Sequence, residues 1–72
     1  MNMPDKMTAH IAQQLKDARQ RTKMTQLQVA EKAGINVNYY AKLERATSTP
    51  SLKMLQKVVK ALDVHSSDVL PF

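Results

Sequence analysis

Thr25-Gln26-Leu27-Gln28-Val29-Ala30-Glu31-Lys32-Ala33-Gly34-Ile35-Asn36-Val37-Asn38-Tyr39-Tyr40-Ala41-Lys42-Leu43-Glu44-Arg45 is the stretch that decides the fold. Thr25 with Gln28 three residues later has the form of a capping box, in which a hydroxyl and an amide satisfy each other's backbone N–H groups. A helix is therefore expected from there through Val29, Ala30 and Ala33, stopped by Gly34. Asn36, a good N-cap, opens a second helix with Tyr40 and Leu43 facing inward and Ile35 tucked under the turn. Two short helices thus meet across a turn of a few residues, the sequence form of a helix-turn-helix.

Working outward, apolar positions recur at three and four residues, the spacing of one helix face. Upstream, Met7, Ile11, Leu15 and Ala18 form such a face, starting near Thr8 and fading in the basic run Arg19 to Lys23. Downstream, a polar loop from Ala46 to Thr49 leads to Pro50, which suits the first turn of a helix. Leu52, Leu55, Val58, Val59 and Leu62 then make the cleanest apolar stripe, with Lys53, Lys57 and Lys60 elsewhere around the cylinder. Ser66 or Ser67 caps a last short helix through Val69 and Leu70, ended by Pro71. The expectation is all-α: one five-helix domain over residues 7–72, preceded by a flexible N-terminus at residues 1–6.

Composition narrows the functions open to such a chain. Seventy-two residues bury one modest core. Without cysteine there is no disulfide and no thiolate metal site, and His10 and His65 stand far apart, so no metal and no cofactor are expected. The start carries no secretory core region and no run approaches a membrane span, which makes a cytoplasmic address the default. No nucleophile with a base, carboxylate dyad or phosphate loop can be assembled, which argues against an enzyme. Eleven Lys and Arg against six Asp and Glu leave a formal charge of +5, so a polyanion is the expected partner.

The quoted stretch closely resembles the Cro and phage-repressor family, often called the XRE family. Pro50-Ser51-Leu52 and Val59-Lys60-Ala61-Leu62-Asp63-Val64 resemble that family's fourth-helix signature, so the likeness runs from about Ile11 to Leu70. It implies a lambda-repressor-like fold whose third helix enters the major groove of double-stranded DNA. Val37, Asn38, Ala41 and Lys42 then lie outward as base contacts: Asn38 pairing with adenine, Val37 touching a thymine methyl, Lys42 donating to guanine or phosphate. Gln26, Tyr39, Thr47 and Ser48 are implied as phosphate contacts, which position the protein more than they read sequence. Glu44 pairs, on the same resemblance, with Arg19, fixing the angle between two helices. The chain departs from the pattern at Lys23, Ala46 and Asp63, where the family commonly has glycine.

Blander readings stand beside these. Lys53, Lys57 and Lys60 read as a soluble face pointing away from DNA, and Tyr40 as a core residue with its hydroxyl at the rim. Leu27 is either a scattered surface residue or part of a partner contact. His10 and His65 read as surface or capping residues. The resemblance implies a homodimeric repressor or controller on a pseudo-palindromic operator, blocking or recruiting RNA polymerase. Its dimer contacts would come from Val64, Val69, Leu70 and Phe72. The alternative is an antitoxin or protein-binding adaptor using the same fold, for which only the first few residues are spare.

Overall fold

The computed structural model describes residues 6–62. Four helices follow one another: α1 Lys6–Arg21, α2 Gln26–Ala33, α3 Val37–Glu44 and α4 Leu52–Leu62. No strand occurs among the described residues. The expected fifth helix, and with it Asp63, His65 and the apolar group Val64, Val69, Leu70 and Phe72, lies outside the described residues.

Local chemistry sets most helix ends. The Thr25 hydroxyl accepts from the Gln28 backbone N–H at 3.1 Å, and the Gln28 side chain accepts from the Thr25 N–H at 2.8 Å, closing the capping box. Asn36 Oδ1 accepts from the N–H groups of Asn38 at 2.7 Å and Tyr39 at 3.3 Å. Two ends differ from expectation. Helix α1 runs from Lys6, and Thr8 is not its cap: Thr8 is buried and its hydroxyl lies 3.2 Å from that of Thr49. Pro50 stands before α4 rather than in its first turn. Ser51 is the cap, its Oγ accepting from the Met54 N–H at 3.1 Å and its carbonyl from the Leu55 N–H at 2.9 Å.

The apolar faces converge on one core. Leu15, Val29, Tyr40, Leu43, Val58 and Leu62 are enclosed completely, with Ile11, Leu55 and Val59 beside them. Truncating any of the enclosed leucines to alanine is expected to cost about 2–5 kcal/mol. Helix α2 packs on α3 and α4, while α1 closes the other side of α3 and also touches α4. Ala12, Ala18, Ala30 and Ala61 are buried at these contacts, where a small side chain lets backbones approach. Met7 and Leu52, expected inward, are 52% and 58% exposed. Each occupies the first turn of its helix.

Candidate nucleic-acid interface

The geometry of the site begins at the α2–α3 turn. Gly34 takes the left-handed conformation at φ 72°, and the N–H groups of Gly34 and Ile35 return to the carbonyls of Glu31 (3.2 Å) and Ala30 (2.9 Å). This double bond satisfies two of the helix's last carbonyls and turns the chain sharply. Ile35 then packs against the core, so α3 leaves α2 at an angle set on both sides of the turn.

With Tyr40 and Leu43 buried, helical spacing brings Asn38, Ala41, Lys42 and Arg45 onto one outward stripe. Asn38, Lys42 and Arg45 are exposed and Ala41 is half-buried. Arg45 was not among the residues singled out from sequence. The signal was available: it is a basic residue three positions beyond Lys42, at the C-cap of the same helix. Val37 and Tyr39 differ from the stripe, since both lie half-buried with part of their side chains against the core. What they present outward is an edge rather than a whole side chain.

A charged network fixes the stripe's frame. Arg19 donates from Nε to Glu44 Oε2 at 2.6 Å and from Nη2 to Glu44 Oε1 at 3.1 Å, a two-pronged bond joining α1 to the end of α3. Arg19 Nη1 also donates to the Met24 carbonyl at 3.1 Å, holding the α1–α2 turn. Gln26 Nε2 donates to Glu44 Oε1 at 3.1 Å, tying in the first residue of α2. The side chain of Glu44 is only 4% exposed and that of Arg19 16%. Burial works against the Glu44 charge. The hydrogen bonds from Arg19, the Tyr40 hydroxyl beside the carboxylate, the bond from Gln26 and the arginine's own charge together outweigh it and hold the carboxyl below its ordinary value. The bond from Glu44 likewise raises Arg19.

Tyr40 departs from the sequence expectation. Its hydroxyl is not at the rim but fully buried beside this pair, with no partner in hydrogen-bond geometry. It acts on the pair as a nearby dipole, and burial together with the Glu44 carboxylate pushes its own ionisation far above the usual range.

The residues expected at phosphates lie around the stripe in differing states. Gln26 is half-buried and opens α2, where its own backbone N–H and that of Leu27 have no acceptor inside the helix. Free N–H groups and the positive end of the helix dipole favour an anion there. One side-chain N–H of Gln26 is committed to Glu44, leaving the other for an outside acceptor. Thr47, beyond the end of α3, donates its hydroxyl to the Lys42 carbonyl at 3.2 Å, so its hydrogen is already in use. Ser48 is half-buried beside it.

Other surfaces hold less chemistry. A concavity of about 460 Å³ runs along α1 between Gln14, Asp17, Gln20 and Arg21 and shares no residue with the stripe. Among the described residues no group of three or more His, Asp or Glu is placed to hold a metal ion, and no helix is long and apolar enough to cross a membrane.

Known proteins share this arrangement. A family model described as Helix-turn-helix matches residues 15–69. An HTH-type transcriptional regulator, y4dL of Sinorhizobium fredii, is 39% identical over 58 residues, covering 81% of this chain and 30% of the relative. The immunity repressor protein of Bacillus phage phi105 is 38% identical over 60 residues, covering 83% of this chain and 42% of the relative. The chain thus spans less than half the length of either. In three dimensions it resembles the restriction-modification controller protein C.Esp1396I, solved as a tetramer in complex with its natural 35 base-pair operator. That match has a TM-score of 0.84 at 24% identity over 88% of this chain and 83% of that one. The capped turn around Gly34 and a family match over most of the chain lead to one conclusion: this protein belongs to the Cro/C1-type helix-turn-helix family.

Proposed function

We propose that this chain binds double-stranded DNA at a specific sequence and acts as a transcriptional regulator, a repressor or a controller, without a catalytic step or cofactor. The observation that carries the reading is the outward stripe of α3, held at a fixed angle to the anion-favouring start of α2 by the Arg19–Glu44–Gln26 network. Asn38 and Lys42 read base edges, Ala41 and the exposed edge of Val37 supply apolar contact to thymine methyls, and Arg45 extends the stripe towards the backbone. Gln26, Tyr39, Thr47 and Ser48 position the protein on phosphates. For Thr47, a phosphate has to compete with the Lys42 carbonyl for the hydroxyl hydrogen.

Two copies bind a pseudo-palindromic operator with half-sites about one helical turn, roughly 34 Å, apart. Repressor and controller relatives, one of them a tetramer on its operator, support this assembly. RNA polymerase is the machinery it blocks or recruits, in the cytoplasm and at the nucleoid. Binding titrations against salt test the reading. A duplex chosen by selection should bind with log affinity falling about 0.9 per phosphate neutralised for each unit of log salt, and more tightly than random duplex at every salt concentration. Equal affinity for both, or none at low ionic strength, contradicts it.

A further inference from the structure

Lys53, Lys57 and Lys60 read from sequence as one solvated face of α4, but the structure divides them. Lys57 and Lys60, with Lys32 from the last turn of α2, line a cleft of about 290 Å³ whose remaining lining is Ala33 and Ala61; Lys53 is not part of it. Ala61 is buried and Ala33 half-buried, so methyl groups form a floor between exposed ammonium groups. Among the described residues none of the three lysines forms an ion pair, the bridge observed being that of Arg19 with Glu44. Three like charges therefore line a small apolar floor with no carboxylate of the described residues in ion-pair distance.

The cleft is separate from the DNA-reading stripe. Lys32 lies six residues beyond Gln26 on α2, about 9 Å along the axis at 1.5 Å per residue, and the two surfaces share no residue. A duplex phosphate is the poorer occupant, because its oxygens would meet the Ala33–Ala61 floor, which is apolar and offers no donors. A peptide suits it better. Lysine stems pack along aliphatic side chains while their ammonium groups reach carboxylates, and a small apolar side chain can rest on Ala33 and Ala61.

We propose that the Lys32–Lys57–Lys60 cleft docks an acidic segment of a partner protein, one in which carboxylates flank an apolar side chain. Such a partner engages the chain while α3 occupies DNA. The test is fluorescence anisotropy on the full chain with a dye-labelled peptide alternating Glu and Val, and a Lys and Val peptide as control. The acidic peptide binds, and salt weakens it. Lys32→Glu, Lys57→Glu and Lys60→Glu each lower its affinity roughly fivefold or more, whereas Lys53→Glu, the same charge change on the same helix, lowers it less than about twofold. Melting temperature falls only slightly, most in Lys32→Glu and Lys60→Glu, which put an acid at the negative end of a helix. Duplex affinity falls by the same small factor in all four, as a change of net charge off the reading surface requires. The proposal fails if the acidic peptide does not bind. It fails equally if Lys53→Glu weakens binding as much as the cleft variants, since net charge alone then accounts for it. A larger loss of duplex affinity in the cleft variants than in Lys53→Glu, with peptide binding intact, also overturns it.

Discussion

The turn after α2 and the turns after α1 and α3 share one backbone shape but are built from different residues. In each, two N–H groups return to the last turn of the helix: Gly34 and Ile35 after α2, Lys23 and Met24 after α1, Ala46 and Thr47 after α3. In each, the pivot residue takes positive φ: 72° at Gly34, 58° at Lys23 and 59° at Ala46. Glycine adopts that conformation freely, while lysine and alanine pay on the order of 1 kcal/mol. The two strained turns are also the ones tied to the charged network. Arg19 holds the Met24 carbonyl just after Lys23, and Glu44 stands two residues before Ala46. A turn whose residues suit it closes by itself; the other two lean on long-range contacts.

The largest break in this comparison comes from removing the support. Glu44→Ala leaves Arg19 without its partner and releases Gln26, and should cost about 3 kcal/mol in urea unfolding, at the lower end for a buried pair because Arg19 keeps some solvent contact. A loss under about 1 kcal/mol would show that the turns do not depend on the network.

Acid should act on the same point. The folded pKa of Glu44 is held below the ordinary 4.5, so its contribution is complete above that value and disappears as pH falls through the folded one. Unfolding followed from about pH 6 to about pH 3 should show stability falling most at the acid end, and Glu44→Gln should flatten that slope. An unchanged slope in the variant would mean other carboxyls carry it.

The pivots themselves give smaller, opposed effects. Gly34→Ala meets nothing within 4 Å of the added Cβ, so its cost is backbone strain alone, reduced by the lower entropy of the unfolded alanine chain. A loss of about 0.5–1 kcal/mol is expected. Ala46→Gly reverses the exchange and should stabilise by on the order of 0.5 kcal/mol. Calorimetric melting of both variants sharpens the comparison: effects of the same sign would mean that the two turns differ in more than their pivot residue.

The same contrast explains what could be read from the chain. The boundaries of α2 and the start of α3 were legible because Thr25, Gln28, Gly34 and Asn36 each do their work within a few residues. Lys23 and Ala46 stood out only against a family pattern, since nothing local announces positive φ in lysine or alanine. Pro50 misled for a related reason: proline suits a first helical turn, but Ser51 beside it offers a hydroxyl cap and takes the boundary. Met7 and Leu52 continue their stripes in sequence, yet each stands in the first turn of its helix and is exposed. The burial of the Tyr40 hydroxyl and the Gln26 bond to Glu44 depend on where α1 and α2 cross α3, which periodicity does not encode. On the candidate surface, Asn38 and Lys42 follow from the helical period once Tyr40 and Leu43 are inward, and Arg45 needed only one more turn of the same count. The Lys32–Lys57–Lys60 cleft needed coordinates, because its members come from helices distant in sequence.

If the frame set by Gly34 and the Arg19–Glu44 pair exists to present α3, the decisive measurement is Asn38→Ala on two duplexes. Anisotropy titrations should show the variant losing about 1–3 kcal/mol on the selected operator and almost nothing on random DNA. Equal losses on both duplexes, or no loss on either, would contradict the assignment of this face as the reader.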